Sequence, residues 1–207
     1  MNEVLVKAFG KLDDDAVMEE VKKMQAAGTN AMDILNDLQE GMQEVGQKYA
    51  ENQYYLSELI MSAEIFKEAI KAIGGIGQAD SGKKYGTMIL GTVKGDIHDI
   101  GKNIVAAVMG CNGFKIIDLG VDVPIAKFVD AVKENQPDFV GISCLLTTNF
   151  DNTRETITQV KAAGFQGKFI IGGGPCDEGT VKYVGADALA KDAQEGIKIA
   201  KKMLGVN

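Results

Sequence analysis

A single histidine marks the place where this sequence is equipped for chemistry. His98 lies in Gly95-Asp-Ile-His-Asp-Ile-Gly101, directly after the apolar run 86–93, which predicts a buried strand. Open α/β folds bind ligands at the carboxyl ends of their strands, so His98 stands where such a fold places its chemistry. Asp96 can hydrogen-bond one imidazole nitrogen and leave the other for a metal. The alternative for a lone histidine is an ordinary hydrogen-bonded loop residue.

Two more segments of suitable residue types follow later predicted strands. Ser143 and Leu145 close the run that begins at Phe139, and three glycines follow the run 168–171: Gly172, Gly173 and Gly174. Because parallel strands end at one edge of a sheet, we expect both segments to lie near His98. Consecutive glycines allow the backbone to approach a ligand closely.

Residues 85–207 alternate between strand-like and helical patterns. The predicted strands are 86–93, 114–119, 139–145, 168–172 and 187–190, and the predicted helices are 101–111, 125–135, 151–164, 177–184 and 193–204. This alternation predicts a parallel sheet covered by helices on both faces. The fold class is therefore α/β, with a flavodoxin-like (Rossmann-like) domain of five parallel strands.

Residues 1–73 carry helical periodicity alone and predict a small helical bundle. Asp13 to Asp15 can cap one helix, and Thr29 or Asn30 can cap the next. The glycine-rich segment 74–84 predicts a linker between the bundle and the α/β domain.

The three strand-end segments together resemble the cobalamin-binding signature of corrinoid proteins, which combines Asp-x-His-x-x-Gly, Ser-x-Leu and Gly-Gly. The text of residues 91–105, Gly-Thr-Val-Lys-Gly-Asp-Ile-His-Asp-Ile-Gly-Lys-Asn-Ile-Val, is similar to that of the small corrinoid proteins of methylamine, methanol and aryl-methyl-ether systems. Residues 41–49 and 55–63 resemble the helical cap of cobalamin-dependent methionine synthase. The resemblance covers nearly the whole chain.

The resemblance implies cobalamin as cofactor, in its methylcobalamin, cob(I)alamin and hydroxocobalamin forms. His98 would be the lower axial cobalt ligand in place of the cofactor's own base, an arrangement called base-off/His-on. Asp96 would hold the imidazole, and Ser143 would complete the relay or bind the displaced nucleotide tail. Further cofactor contacts are implied at Gly95, Ile97, Asp99, Ile100, Gly101, Leu145, Thr147, Gly172, Gly173 and Gly174, and on the cap at Tyr55, Leu59, Ser62 and Ile65. The alternative for the cap residues is a face that only fills the bundle core.

Four positions depart from the pattern of the corrinoid family. Gly174 stands where relatives often have alanine, and Ser57 replaces a proline common in the cap. Ala188 and Leu189 replace a glycine and a tyrosine in a segment that the family often uses against the nucleotide end of the cofactor. Contacts in that segment are therefore expected to differ.

The resemblance implies a methyl carrier that works between two enzymes. A substrate-specific methyltransferase would load it, an acceptor methyltransferase using tetrahydrofolate or a thiol would unload it, and a reductive activase would restore oxidised cobalt. Such a chain is a subunit of a multicomponent methyltransferase. An adenosylcobalamin mutase subunit shares Asp-x-His-x-x-Gly but lacks the cap, and a cobalamin-responsive sensor needs a DNA-binding domain. A flavodoxin-like domain without cobalamin would explain the sheet and leave the three motifs unexplained.

The composition limits the possible partners and cellular location of the protein. The formal net charge of −7 and pI near 4.8 argue against nucleic acid as a partner. No apolar run approaches the ~20 residues that span a bilayer, and the start lacks signal-peptide features, so we expect a cytoplasmic protein without a membrane partner. The cysteines, Cys111, Cys144 and Cys176, form no Cys-x-x-Cys pair and are expected to be isolated, reduced and mostly buried.

Overall fold

The structure, a computed structural model, describes residues 1–74 and 85–206. The chain divides into two compact units, a helical one before the gap and an α/β one after it. Residues 75–84 of the predicted linker 74–84 lie outside the described residues.

The helical unit contains α1 (Glu3–Gly10), α2 (Asp14–Ala26), α3 (Ala31–Ala50) and α4 (Leu56–Ala72). Three of these helices begin behind a side chain that accepts hydrogen bonds from exposed backbone N–H groups of the first turn. The caps are Asn2, Asp13 and Asn30. The helix that follows Asp13 and the cap at Asn30 agree with the sequence analysis.

The core of the helical unit is built by apolar side chains that recur every three or four residues. Leu5 and Phe9 of α1 are fully buried, as are Ile34, Leu38 and Met42 of α3. Gly41 sets the distance between these two helices, because a Cβ there would lie 2.6 Å from Phe9 Cβ. The missing side chain lets α1 pack directly on the α3 backbone.

The α/β unit alternates between the two element types throughout. Its strands are β1 (Thr87–Val93), β2 (Lys115–Val123), β3 (Phe139–Ser143), β4 (Lys168–Gly172) and β5 (Ala188–Leu189). Its helices are α5 (Ile100–Cys111), α6 (Ile125–Asn135), α7 (Phe150–Ala162), α8 (Glu178–Val184) and α9 (Ala193–Met203), and Thr147–Asn149 form one 3-10 turn.

The five strands form one parallel sheet in the order β2-β1-β3-β4-β5. The predicted fold class, a helical N-terminal portion followed by a five-stranded parallel sheet with helices, is confirmed. One apolar cluster fills the face covered by α6, α7 and α8, and a second fills the face covered by α5 and α9. β2 lies on one side of β1, whereas β3, β4 and β5 follow in order on the other side. The position between β1 and β3 is therefore a topological switch point, which is where ligands of doubly wound folds bind.

The strand bounds differ from the sequence analysis at two places next to this switch point. β2 runs to Val123, four residues beyond its predicted end, and its register against β1 shifts on both sides of Gly91. β3 ends at Ser143, two residues early, because the chain turns away there toward the 3-10 turn. None of the helices in residues 1–74 and 85–206 combines the length and apolarity needed to cross a bilayer.

Candidate functional site

The loop between β1 and α5 holds the imidazole of His98 against a buried carboxylate. His98 Nδ1 lies 2.8 Å from Asp96 Oδ1, and the backbone N–H of His98 donates to the same oxygen at 3.0 Å. The His98 side chain is 44% exposed, whereas that of Asp96 is fully buried. A carboxylate only accepts, so Nδ1 carries a proton, and in the neutral ring Nε2 keeps its lone pair. In that form the half-exposed imidazole has one unprotonated nitrogen available to a ligand.

The Asp96 carboxylate is held by donors from two strand ends. Its second oxygen, Oδ2, accepts the backbone N–H of Leu145 at 2.8 Å. Burial by itself raises the pKa of Asp96, but the N–H groups of Leu145 and His98 and the imidazole together outweigh it. The pKa of Asp96 is consequently below its usual value, and the group is ionised at neutral pH.

Polar side chains fasten the first turn of α5 beside this loop. The ammonium of Lys102 is buried and pairs with the carboxylate of Asp118 on β2, and it also donates to Asn103 Oδ1 at 2.7 Å. Asn103 Nδ2 donates in turn to Asp99 Oδ2 at 3.3 Å. A buried ammonium needs such partners, so the start of α5 is fixed against the sheet.

Large apolar side chains flank His98 at the surface. Ile97 is 73% exposed, Ile100 is 76% exposed and Leu145 is 42% exposed. A Cβ built on Gly101 meets no heavy atom within 4 Å, so the space above this residue is open. The imidazole therefore stands within an apolar surface that is suited to a flat hydrophobic ligand.

The three glycines after β4 have different surroundings. A Cβ on Gly173, whose φ is +136°, would lie 1.9 Å from the carbonyl oxygen of Cys144, and one on Gly172 would lie 2.8 Å from that of Ala190. A Cβ on Gly174 would come no closer than 3.8 Å to Leu145 Cδ1. Gly172 and Gly173 therefore allow neighbouring strand ends to approach each other, whereas Gly174 has free space.

The other predicted site residues fall into two groups. Near the sheet edge, Ser143 is half-buried and Thr147 is exposed. Among the hydrogen bonds of residues 85–206, none joins Ser143 to Asp96, and the Oδ2 atom of Asp96 accepts the Leu145 N–H. The part of Ser143 in a relay stays a prediction.

The predicted cap face on α4 is mostly buried. Tyr55 is exposed, while Leu59, Ser62 and Ile65 are not. Ser62 Oγ donates to the carbonyl of Leu59 at 2.7 Å and lies 3.3 Å from Met42 Sδ. The proposed contact of this face with the cofactor stays a prediction.

Sequence reasoning missed two features of the sheet edge. Thr92 and Asp122 hydrogen-bond the backbone of the His98 loop. Thr92 lies in the run 91–105 but has no assigned role there, and Asp122 lies outside the recognised motifs. Cys144 and Cys176 are not isolated, since Cys176 Sγ lies 3.5 Å from the Cys144 carbonyl and the two thiols interact. That interaction lowers the pKa of Cys144 to about 7 against the effect of burial, and it raises the pKa of Cys176. No signal in the sequence links positions 144 and 176.

The chain matches two family models, both described as a B12 binding domain, at residues 1–73 and 86–198. The trimethylamine corrinoid protein of Methanosarcina barkeri is 35% identical over 205 residues, which cover 97% of this chain and 94% of the relative. The chain belongs to the cobalamin-binding corrinoid proteins. Dimethylamine corrinoid protein 3 of Methanosarcina acetivorans is 34% identical over 192 residues, 92% of this chain and 90% of the relative.

Solved structures of corrinoid proteins share the fold. A novel cobalamin-binding protein from Desulfitobacterium hafniense DCB-2 superposes with a TM-score of 0.80 at 36% identity, covering 98% of both chains. The methanol:cobalamin methyltransferase complex from Methanosarcina barkeri contains a chain that matches with a TM-score of 0.86 at 30% identity, covering 99% of this chain and 79% of that one. Cobalamin is the cofactor of this corrinoid protein.

The described residues fit that cofactor. An imidazole nitrogen is a common ligand of transition metals and could hold the cobalt of this cofactor. Nε2 of His98 has the required lone pair, and Ile97, Ile100 and Leu145 provide an apolar surface around it. The open space above Gly101 leaves room for a bulky group beside the imidazole.

Proposed function

We propose that this corrinoid protein is a methyl carrier that holds cobalamin with His98 as the lower axial cobalt ligand. When bound, the cofactor supplies a cobalt centre that accepts and releases a methyl group. The 2.8 Å contact between His98 Nδ1 and Asp96 Oδ1 is the observation that carries the proposal, because it leaves Nε2 available. The relatives named as trimethylamine and dimethylamine corrinoid proteins support the same function.

The chain's own residues would bind and orient the cofactor. Asp96 fixes the direction of the imidazole and favours the tautomer with an unprotonated Nε2. Ser143, half-buried at the end of β3, is proposed to contact the nucleotide tail rather than Asp96.

The proposed partners are proteins of a methyltransferase system. A substrate:corrinoid methyltransferase would deliver the methyl group, and a second methyltransferase would pass it to tetrahydrofolate or a thiol. A reductive activase would return oxidised cobalt to the reduced state. The relatives named for dimethylamine and trimethylamine support testing methylamine:corrinoid methyltransferases first.

The axial ligand is tested by the optical spectrum of the protein reconstituted with hydroxocobalamin and then desalted. His98→Ala removes the only imidazole of the chain. We expect both proteins to retain the corrinoid and the bands that report the axial ligand to differ between them. Lys94→Ala is the matched control, since Lys94 is exposed in the same loop and its side chain is not part of the site.

The spectra test His98 as axial ligand and cobalamin as cofactor separately. A spectrum that is identical for the unaltered protein and His98→Ala would exclude His98 as a ligand while retaining cobalamin as cofactor. An unaltered protein that stays colourless after desalting would contradict the whole proposal. A changed spectrum in Lys94→Ala would show that any disturbance of the loop alters the bands.

A further inference from the structure

The backbone of the His98 loop is hydrogen-bonded to a bulge in β2. The pairing of β1 with β2 skips Thr92, since Gly91 pairs with Gly120 and Val93 with Val123. Within this bulge Asp122 has a φ of +51°, a left-handed conformation that is unfavourable for a residue with a side chain. Bulges redirect side chains and are frequent beside active sites. A functional role of Asp122 would explain why the fold keeps this strained conformation.

Asp122 makes hydrogen bonds to both ends of the turn before His98. Its carboxylate Oδ1 accepts the N–H of Gly95 at 2.7 Å, and its own N–H donates to the carbonyl of Asp96 at 2.9 Å. The left-handed conformation at Asp122 allows the N–H and the carboxylate to reach neighbouring residues of the loop. The fully buried hydroxyl of Thr92 donates to the same Asp96 carbonyl and accepts from the Asp122 N–H.

These contacts fix the residue on which the imidazole depends. Asp122 and Thr92 hold the peptide group after Asp96 through its carbonyl. The Asp96 N–H donates to the Val93 carbonyl at 3.0 Å, so the peptide groups on both sides of Asp96 are fixed. The Asp122 carboxylate fixes the preceding peptide group through the Gly95 N–H. A hydrogen bond from Asn152 Nδ2 to the Lys94 carbonyl, at 2.9 Å, holds the other end of the same Lys94–Gly95 peptide group. Without the Asp122 carboxylate, the Gly95 N–H would lose its partner, and the turn that carries Asp96 would be held less firmly.

We propose that Asp122, supported by Thr92, is a positioning residue for His98. The inference deepens the proposed function, since it concerns the nitrogen that would bind cobalt, but its test does not require the cofactor. Asp122 does not touch the imidazole and acts through Asp96.

The single histidine makes the test direct. Because the chain contains one imidazole, a long-range ¹H–¹⁵N spectrum of the uniformly labelled apoprotein shows one pair of ring nitrogens. In the neutral ring, the two nitrogen shifts report which nitrogen carries the proton. The unaltered protein is expected to have Nδ1 protonated and Nε2 unprotonated.

Three variants separate the parts played by the Asp122 side chain and backbone. Asp122→Gly keeps the left-handed backbone and removes the acceptor for the Gly95 N–H. Asp122→Asn keeps both an acceptor oxygen and a tolerance of this conformation. Asp130→Gly removes a carboxylate from an exposed position on α6 and serves as the matched control.

In Asp122→Gly we expect the ratio of the Nδ1-protonated form to the other tautomer to fall about tenfold, equivalent to ~1.4 kcal/mol. Asp122→Asn should restore most of that ratio, and Asp130→Gly should leave it unchanged. Thr92→Val removes the buried hydroxyl with little change of shape and should shift the ratio in the same direction as Asp122→Gly. Thr92→Val also tests the positioning role if Asp122→Gly does not fold.

The proposal is overturned if Asp122→Gly, or Thr92→Val in its place, keeps the nitrogen shifts of the unaltered protein while the melting temperature falls. Such a result would mean that the hydrogen bonds of Asp122 and Thr92 have a purely structural role. Failure of the apoprotein to bind hydroxocobalamin, with the nitrogen shifts as expected, would count against the proposed function and leave the positioning role intact. The two failures are therefore distinguishable.

Discussion

Gly101→Ala should change folding stability and cobalamin affinity in opposite directions. Gly101 lies in the first turn of α5, its φ is not left-handed, and a Cβ there meets no atom within 4 Å. Replacing a helical glycine with alanine in open space stabilises the apoprotein by about 0.5–1 kcal/mol. In a chain of this size, each kcal/mol raises the melting temperature by roughly 2–4 °C.

The added methyl group occupies the space in which the cofactor is expected to pass. Forcing one such group into a filled contact costs about 1–3 kcal/mol, which corresponds to roughly 5- to 150-fold weaker binding of hydroxocobalamin. The stability is measured by urea denaturation of the apoprotein, and the affinity by optical titration with hydroxocobalamin.

Gly110→Ala is the matched control for this experiment. Gly110 belongs to the same helix, and a Cβ there also meets nothing within 4 Å, but it lies at the opposite end from His98. We expect a comparable gain in stability and an unchanged affinity. Unaltered affinity in a more stable Gly101→Ala protein would refute the path of the cofactor over α5, and a loss of stability would refute the helix argument.

Three further results are expected. Asp96→Asn should lower the apoprotein's free energy of unfolding at pH 7, because the asparagine amide meets hydrogen-bond donors from two loops. Since the pKa of Asp96 is depressed in the folded state, the difference in unfolding free energy between the variant and the unaltered protein should vanish as the pH falls through that pKa, as measured by urea denaturation. Gly173→Ala should lose at least ~2 kcal/mol of stability because its Cβ meets a backbone carbonyl at 1.9 Å, whereas Gly174→Ala should be tolerated; thermal melts of both variants decide. Iodoacetamide should alkylate half-buried Cys176 before Cys144, because complete burial of Cys144 blocks access to its thiolate in spite of its lowered pKa; peptide mass spectrometry showing the reverse order would mean that thiolate content outweighs burial.

Much of the fold is encoded in short-range sequence signals. The five strands and the helices between them follow apolar runs and helical periodicity, and α6 occupies the predicted residues 125–135. The contact between His98 and Asp96 was also predictable, because a carboxylate two residues from a histidine in a loop is within reach of its ring. Local patterns specify both features.

Contacts made by the backbone could not be predicted in the same way. The partner of Asp96 Oδ2 is the N–H of Leu145, and every residue other than proline carries an N–H. The residue type at position 145 therefore gives no sign of this role. The bulge that places Asp122 beside Gly95 depends on the register of β2 against β1, which apolar periodicity does not specify.

The main-chain origin of the Leu145 hydrogen bond separates two properties at one position. The N–H of Leu145 keeps the Asp96 carboxylate in place, while its half-exposed side chain forms part of the apolar surface. Evolution or protein engineering can therefore vary the shape and charge of that side chain without releasing the carboxylate. Proline is the exception, since it lacks the N–H. Residue 145 thus offers a place to retune the surface that meets the cofactor while the orientation of His98 is preserved.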